Sequence, residues 1–278
     1  MKKISAYINI VRPVNFIITF FTVIVAAALS IHGEYSSVKV ILAAITASLT
    51  MSAGNIINDI YDLNGDRINH PGRPLPAGII SPKAALVYYF ILLAVSLFLS
   101  LFITILNYEL NLLAIILLYL YSYKLKRIAF SGNLVVSVLT GLVFIYGGIA
   151  VNNIQNSLIP ALFAFLINLI REIIKDMEDA EGDIHDGIIS LHSKYGIKVA
   201  KNIIIILTLL LIIFTLFPYV NGNYGIYYIA VILLLVIPVL IYILISLLKD
   251  DSRKNMNKLS LILKLDMVFG LIALYVGK

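Results

Sequence analysis

Long runs of apolar residues alternate with short polar segments along almost the whole chain. Most of the runs hold 18 or more residues, enough for a helix to cross roughly 30 Å of hydrocarbon. The fold class predicted from this pattern is all-α, a multispanning membrane bundle of nine transmembrane helices. These helices are expected at residues 14–31, 39–57, 83–106, 110–123, 132–150, 158–174, 199–217, 224–248 and 260–276.

Composition supports a membrane protein and removes several kinds of chemistry. Of the 278 residues, 61% are hydrophobic and only 13% are charged, which is too apolar for a soluble domain of this length. The chain contains no cysteine, so disulfides, thiolate nucleophiles and cysteine-ligated zinc or iron–sulfur clusters are excluded. Residues 1–12 form a short basic lead into the first apolar run, so we expect a retained first span and no cleaved signal peptide.

The charged residues collect on one predicted side of the membrane. All of the 21 basic residues except Lys39 and Lys278 fall on the side of the N-terminus, as do all of the 15 acidic residues except Glu34 and Glu109. Because cytoplasmic loops gather Lys and Arg, we expect the N-terminus and the charged loops to be cytoplasmic and the C-terminus to lie outside the cell membrane. The net charge of +6 comes from such short loops, so no nucleic-acid partner is expected.

One acidic pattern, Asp-x-x-Asp-x-x-Gly-Asp, occurs twice, after the second and the sixth predicted spans. A constant offset of 117 residues (176 minus 59) relates the two copies. This recurrence predicts an internal repeat of two four-span halves, 14–131 and 132–250, followed by a ninth helix at 260–276, within a single membrane domain. The first acidic sequence is Asp59, Asp62, Gly65, Asp66, and the second acidic sequence is Asp176, Asp179, Gly182, Asp183.

The spacing of these acids predicts a divided metal site. Positions three and four residues apart share one face of a helix, so carboxylates at this spacing stack and repel one another unless cations lie between them. Ligand sets made only of oxygen suit hard ions, and Mg²⁺ commonly bridges a few carboxylates to a substrate phosphate. We therefore expect Mg²⁺ as cofactor, with ligands among Asn58, Asp59, Asp62, Asp66, Asp176, Asp179 and Asp183.

Two other interpretations of the acids remain open at this point. The acids could be ordinary surface charge at solvated helix ends, although two matched copies with glycine in register make that explanation weak. They could also belong to the ion path of a cation transporter, where acids inside the membrane also occur. The outer halves of the spans offer no charged relay, which counts against a transporter.

An anionic substrate would need cations, and the charged loops and helix ends supply several. Prolines surround Arg73, while Tyr121-Ser122-Tyr123-x-x-Lys126 brings tyrosine hydroxyls and an ammonium group to one helix end. Arg171 and Lys175 precede the second acidic sequence and are equally well explained as salt-bridge partners of its acids. The candidate substrate-binding residues are Arg12, Asn15, Asn55, Arg67, Arg73, Tyr123, Lys126, Arg171 and Lys175.

Four motifs resemble those of the UbiA superfamily of intramembrane prenyltransferases. The first is Asn58-Asp59-x-x-Asp62-x-x-x-Asp66 with its tail Arg67-x-Asn69-His70-Pro71-x-Arg73-Pro74-Leu75-Pro76-x-Gly78. The others are Asp176-x-x-Asp179-x-x-x-Asp183, the opening Arg12-Pro13-x-Asn15, and Tyr121-x-Tyr123-x-x-Lys126. The resemblance therefore extends over the whole chain, and the first motif with its proline-rich tail is the most specific part.

The resemblance implies a nine-helix bundle around a central cavity that cytoplasmic loops cap. In this family the two Asp-rich motifs bind Mg²⁺ and an isoprenyl diphosphate, which ionises to an allylic carbocation in an apolar, water-poor chamber. Carried over to matching positions, the resemblance assigns catalytic roles to Asp62, Asp66, Asp183 and Lys126. The expected partners are the diphosphate donor, a lipid-like acceptor and the bilayer itself.

The acceptor is the least constrained part of this expectation. The chain is most similar to archaeal family members that join a geranylgeranyl group to geranylgeranylglyceryl phosphate and so form the second ether bond of the membrane lipid. An aromatic acceptor such as 4-hydroxybenzoate or a quinone precursor is the alternative, for which Arg12, Arg67 or Arg73 would bind the carboxylate. Sequence alone does not distinguish a carboxylate from a phosphate.

Overall fold

The structure, a computed structural model, describes residues 2–179 and 189–277. All regular elements in these two stretches are helical, and nine of their helices are long and apolar enough to cross a membrane. The predicted fold class is thus confirmed, and the chain is a multi-pass membrane protein. Asp183 and Gly182 lie outside the described residues, so the second acidic sequence is described only as far as Asp179.

In chain order the helices have the following bounds. They are α1 (Lys2–Ile10), α2 (Pro13–Ser30), α3 (Ser37–Tyr61), α4 (Leu63–Asn69), α5 (Pro82–Ser100), α6 (Ile105–Tyr123), α7 (Ser131–Ala150), α8 (Gln155–Glu178), α9 (Leu191–Tyr195), α10 (Ile197–Val220), α11 (Ile226–Lys249) and α12 (Arg253–Val276). A 3₁₀ turn, Leu125–Arg127, follows α6, and a π turn, Ile232–Val236, interrupts α11.

Two predicted boundaries were wrong near the third and fourth spans. The third span was expected to run to residue 106, but α5 ends at Ser100 and α6 begins at Ile105. The reason is local, because the hydroxyl of Thr104 accepts a hydrogen bond from the main-chain N–H of Asn107 and caps the new helix at 3.1 Å. The fourth span is therefore longer, and the third shorter, than the apolar run indicates.

The basic lead before the first span is also a helix, α1, which sequence analysis did not predict. Its residues Ala6 and Ile10 are buried in a cluster with Ala53 and Ile56 of α3. Two isoleucines on the helix, Ile4 and Ile8, stay exposed on the opposite side. Burial of Ala6 and Ile10 against α3 explains why nine residues, too few to span a membrane, still form a helix.

The first of two compact units comprises residues 1–125 and 142–158 and is built around α3. This helix is the most buried of the nine spans, and it packs against α2, α5 and α6. A buried polar network joins three of these helices: the Thr50 hydroxyl lies 2.6 Å from Ser96 Oγ and donates to Asn111 Oδ1 at 2.6 Å. Such interhelical hydrogen bonds hold membrane helices together where lipid supplies no hydrophobic driving force.

The second unit comprises residues 126–141 and 159–278. Within it α11 and α12 run antiparallel, because the main-chain N–H of Gly225 donates to Gly277 O at 2.9 Å at one end, and Asn255 Nδ2 donates to Ser246 O at 3.2 Å at the other. Gly277 is needed at its position, since a β-carbon there would lie 2.3 Å from the β-carbon of Tyr228.

The loop between α11 and α12 is held by local contacts. The main-chain N–H of Ser252 donates to Asp250 Oδ1 at 2.8 Å, and this bond, with one from the Ser252 hydroxyl, lowers the pKa of the Asp250 carboxyl. Lys201 of α10 forms an ion pair with Asp251. The loop therefore serves as a capped turn into α12.

Candidate functional site

The first acidic sequence lies where α3 passes into α4. The spacing of its acids predicted that they share one helix face, but α3 ends at Tyr61 and α4 begins at Leu63. Between them Asp62 has φ −93° and ψ 2°, outside the helical region, although its N–H still bonds to Asn58 O at 2.9 Å. The acids therefore sit on two consecutive helices joined at Asp62.

Asp59 is buried and holds an arginine from the connection between α1 and α2. Its side chain is 3% exposed, and its Oδ1 lies 2.5 Å from Arg12 Nη2 and 3.9 Å from Arg73 Nη1. Arg12 has φ 53° and ψ 77°, a left-handed conformation that costs energy in any residue with a β-carbon. Pro13 follows as the first residue of α2, a position that suits proline. The turn thus directs Arg12 at the end of α3.

Asp66 holds the second arginine. Arg73 Nη1 lies 2.8 Å from Asp66 Oδ1 and 2.7 Å from Asp66 Oδ2, so one nitrogen serves both carboxylate oxygens. The proline-rich segment that carries Arg73 is folded: Ala77 N–H bonds to Arg73 O at 2.9 Å, and Leu75 and Ile80 are buried. This fold of the loop brings Arg73 to the first acidic sequence.

Asp62 has different surroundings from its two neighbours. It is half-buried, and Asn58 Nδ2 donates to its Oδ2 at 2.8 Å. Asn55, one turn before Asn58, is buried and donates to Val11 O at 3.3 Å. Asp62 therefore receives a neutral amide donor, while Asp59 and Asp66 receive guanidinium groups.

Three tyrosines border the first acidic sequence. The hydroxyl groups of Tyr61 and Tyr119 lie 3.2 Å apart, and the rings of Tyr119 and Tyr123 are stacked with centroids 6.1 Å apart. The Tyr61 ring meets the Tyr123 ring edge-on at 5.8 Å. Of these three tyrosines, only Tyr123 was predicted from the sequence as a candidate. Tyr119 lies one helical turn before Tyr123, and this spacing was the signal that would have identified Tyr119 as a second tyrosine of the group.

The second acidic sequence, at the end of α8, is bonded to α7. Asn133 is buried, and its Nδ2 donates to Asp176 Oδ2 at 2.9 Å. Arg171 Nη1 pairs with Glu172 Oε1 at 2.5 Å. The structure thus shows no ion pair between Arg171 and an acid of this sequence among the described residues. Asn133 was missed because it stands alone at the start of an apolar run.

The remaining candidates are placed as follows. Asn15 is half-buried, and its main-chain N–H donates to Arg12 O at 2.9 Å. Arg67 on α4 and Lys175 on α8 are exposed, while Lys126 is half-buried in the 3₁₀ turn after α6. The structure therefore joins Arg12, Asp59, Arg73 and Asp66 into one network and leaves Arg67 at the surface.

Oxygen ligands in the first acidic sequence fit Mg²⁺ only as part of a larger set. Within residues 2–179 and 189–277, no three Asp, Glu, His or Cys side chains lie close enough together to hold a metal ion. Mg²⁺ usually keeps several waters and needs only one or two carboxylates when substrate phosphates supply the other oxygens. Asp62 is half-buried and offers one such carboxylate, which the Asn58 amide one turn away contacts at its Oδ2.

Similar proteins cover essentially the whole chain. Digeranylgeranylglyceryl phosphate synthase of Methanosphaera stadtmanae is 36% identical over 273 residues, covering 98% of this chain and 99% of its own. The protein of that name from Methanocaldococcus jannaschii is 37% identical over 281 residues, covering 100% and 97%.

Solved structures give the same match. One, from a study of digeranylgeranylglyceryl phosphate synthase in membranes, has a TM-score of 0.89 and 36% identity and covers 100% of this chain and 99% of its own. A UbiA homologue from Archaeoglobus fulgidus has a TM-score of 0.69 at 20% identity, covering 97% and 99%, and so shares the fold. Residues 19–265 match the sequence profile of the UbiA prenyltransferase family, and the chain belongs to that family.

Proposed function

We infer that this protein is a prenyltransferase that makes digeranylgeranylglyceryl phosphate. The observation that carries this inference is that relatives with this activity in their name match nearly the whole chain at 33% to 37% identity. The reaction transfers a geranylgeranyl group from geranylgeranyl diphosphate to geranylgeranylglyceryl phosphate. The allylic carbon–oxygen bond of the donor breaks, the acceptor hydroxyl oxygen bonds to that carbon, and diphosphate and one proton leave.

The donor end of the reaction needs positive charge. A UbiA homologue from Archaeoglobus fulgidus was solved with GPP and Mg²⁺ bound, which supports a divalent metal here. When bound, Mg²⁺ would stabilise the negative charge that grows on the departing diphosphate. We propose Asn58, Asp59, Asp62, Asp66, Asp176, Asp179 and Asp183 as its ligands, with Asp62, Asp66, Asp183 and Lys126 as the catalytic residues.

Arg12 and Arg73 are the best supported of the proposed substrate-binding residues. Each side chain is about one-third exposed, at 34% and 33%, while the carboxylates that they contact are nearly inaccessible. A guanidinium group carries five N–H donors and suits planar contacts to phosphate oxygens. Each arginine therefore keeps donors for a phosphate after it has bonded to its acid. Asn15, Asn55, Arg67, Tyr123, Lys126, Arg171 and Lys175 remain proposed contacts.

Substrate phosphates are proposed to enter from the cytoplasm, because the charge pattern places the acidic sequences on that side. The absence of cysteine makes this orientation simple to test. Single substitutions Glu34→Cys and Ala77→Cys put a thiol at exposed positions in two loops on opposite predicted sides. A membrane-impermeant maleimide added to intact cells should label Glu34→Cys only. If only Ala77→Cys were labelled, the protein would have the opposite orientation in the membrane.

The function itself is tested with one donor and several acceptors. Purified protein receives geranylgeranyl diphosphate, Mg²⁺ and in turn geranylgeranylglyceryl phosphate, 4-hydroxybenzoate or a quinone precursor, and mass spectrometry identifies the product. We expect a single ether product from the glyceryl phosphate. A prenylated aromatic product in its place would assign the other acceptor class. Cation flux into sealed vesicles without donor, together with no product, would assign a transporter.

A further inference from the structure

Asp59 stands apart from the other acids of its sequence because it faces two cations through one oxygen. Arg12 comes from the α1–α2 connection and Arg73 from the proline-rich loop, and both nitrogens are directed at Asp59 Oδ1, at 2.5 and 3.9 Å. The Asp59 side chain is 3% exposed. A divalent ion bound to this carboxylate would therefore sit beside two guanidinium groups, and the repulsion would oppose its binding.

The backbone at Arg12 indicates that this position serves to hold a guanidinium group. A left-handed conformation at a residue with a β-carbon is costly, and such strain persists where the surroundings over-determine it. Here the strained residue is an arginine whose side chain reaches an acid 47 positions away. The position is organised around the guanidinium group, since glycine or asparagine would satisfy the turn at lower cost.

We propose that Asp59 is a positioning residue, which fixes the guanidinium groups of Arg12 and Arg73 as a pair that binds a substrate phosphate. Asp62, with its neutral amide partner, serves the metal. This assignment rests on the proposed function and revises it at one position, because Asp59 then acts through two arginines and does not touch the ion. The bound group is a phosphate oxyanion, either the diphosphate of the donor or the phosphate of the acceptor.

The test compares Asp59→Asn with Asp62→Asn in the full-length protein. Asparagine keeps the shape and one acceptor oxygen but removes the charge that holds the arginines. For Asp59→Asn we expect the KM of one substrate to rise about tenfold or more, while the Mg²⁺ concentration for half-maximal activity changes by less than about twofold. Asp62→Asn should raise that Mg²⁺ concentration. The arginine pair binds the phosphate of the substrate whose KM rises, either the donor or the acceptor.

A second readout does not depend on turnover. Inorganic pyrophosphate is titrated into the wild type and the variants by calorimetry, without and with Mn²⁺ as a probe of the metal site. Asp59→Asn should weaken the metal-free binding and leave the added effect of Mn²⁺ intact. If the wild type makes no product with any acceptor, the proposed activity fails, yet this titration still decides the role of Asp59.

The proposal is overturned if Asp59→Asn raises the Mg²⁺ requirement as much as Asp62→Asn does. If Asp59→Asn fails to fold, Arg12→Lys provides the same test from the other partner, since lysine keeps the charge and loses the planar donor geometry. Arg12→Lys should weaken pyrophosphate binding without changing the effect of Mn²⁺. Unchanged pyrophosphate binding in Arg12→Lys would overturn the proposal.

A separate inference concerns Asp266, a carboxyl buried inside the last helix. Asp266 lies on α12, a membrane span, and is 0% exposed. Neither of its carboxyl oxygens has a hydrogen-bond partner among the described residues, and no ion pair reaches it there. A charged carboxylate without partners is very costly in such surroundings.

The antiparallel contacts of α11 and α12 show what lies beside Asp266. The Gly225–Gly277 bond and the Ser246–Asn255 bond fix the antiparallel register of the two helices. In that register Asp266 of α12 lies level with Leu235 and Val236 of α11. The π turn Ile232–Val236 lies at this level, and Pro238 next to it has no N–H to give to a preceding carbonyl. The backbone of α11 is therefore short of a donor next to the buried acid.

The geometry points to a proton-binding site, in which neutral Asp266 donates its O–H, directly or through one water, to a carbonyl left free beside Pro238. The titratable groups of α11 lie away from this level: Tyr227 is exposed, Tyr228 lies near Gly277, Tyr242 is bonded to Lys258, and Lys249 lies at the helix end. On α12 itself Lys264 is exposed. The neutral acid satisfies the backbone without placing a charge in the membrane.

Infrared difference spectra of the wild type and Asp266→Asn test this site. At neutral pH we expect a carboxylic-acid carbonyl band that shifts in D₂O and is missing from Asp266→Asn. The control is Asp251→Asn, which removes an exposed, ion-paired acid and should leave the band unchanged. Asp266→Asn should also melt at the wild-type temperature or above, because the amide can donate the same bond.

Absence of the acid band from the wild type would overturn the assignment. A Na⁺-dependent melting temperature that Asp266→Asn abolishes would also overturn it, since the carboxylate would then bind a cation. If Asp266→Asn does not fold, titration of the wild-type spectrum decides the matter. The band should persist at neutral pH, and its replacement by a carboxylate band below neutral pH would contradict the proposal.

Discussion

The two acidic sequences have the same spacing but different partners. In the first, Asp59 and Asp66 pair with Arg12 and Arg73, so guanidinium groups already balance most of its charge. In the second, Asp176 accepts a hydrogen bond from the neutral amide of Asn133, and Arg171, five residues earlier in the chain, pairs with Glu172. Repetition of the spacing therefore does not repeat these partners.

The difference follows from where the partners come from. Arg12 lies 47 positions from Asp59, and Asn133 lies 43 positions from Asp176, so each partner is delivered by another element of its own unit. Helical spacing fixes where the acids stand on a helix, whereas tertiary packing decides which groups meet them. The first sequence is thereby suited to hold arginines for a phosphate as well as to bind metal, whereas in the second the amide of Asn133 donates to Asp176.

The largest expected effect comes from Asp62→Ala. Loss of one group that stabilises developing charge lowers kcat by about 10² to 10³. We expect at least that loss in Mg²⁺-dependent release of diphosphate, with the protein still folded in detergent. Asp179→Ala is the matched change in the second sequence and should give a loss of similar order. Near-normal turnover in Asp62→Ala would remove the first sequence from the metal site.

Arg73→Ala should have the next largest effect. This change removes a guanidinium group whose Nη1 bonds to both carboxylate oxygens of Asp66 and lies near Asp59. We therefore expect kcat/KM to fall about 10²-fold. Arg253→Ala is the control, because Arg253 is exposed at the start of α12 and is not among the proposed substrate contacts. It should stay within about threefold of the wild type. Equal losses in the two variants would mean that the ordered contacts of Arg73 do not matter.

The sequence predicted the large-scale features of this fold because lipid imposes a simple rule. Nine apolar runs gave nine spans among the described residues, and the short polar cap at Thr104 displaced the boundary between the third and the fourth. α1 was missed because its nine residues form a helix only against α3. Arg12 and Arg73 were named as candidates, but their pairing with Asp59 and Asp66 was not, since it depends on two loops whose course no periodicity encodes.

Asn133→Ala examines the neutral partner of the second sequence. If Asp176 contributes to metal binding, loss of the amide that orients it should weaken Mg²⁺ activation by about 10- to 100-fold, as is typical for outer contacts of metal ligands. Activity is measured over a range of Mg²⁺ concentrations, and excess Mg²⁺ should restore most of it. A loss that Mg²⁺ cannot restore would indicate a packing defect, because Asn133 is buried.

The smallest effect is expected from Asn257→Ala, which removes the other amide bonded to this end of α8. Asn257 Nδ2 lies 2.5 Å from Glu178 Oε1, as short as any contact at the site, but the pair is exposed. Water replaces an exposed donor, so the free energy of unfolding should change by less than about 0.5 kcal/mol and Mg²⁺ activation by less than about twofold. The comparison with Asn133→Ala holds residue type and helix end constant and varies burial. Equal effects from the two asparagines would mean that burial does not distinguish the acids, and the contrast between Asp176 and Glu178 would then lose its physical basis.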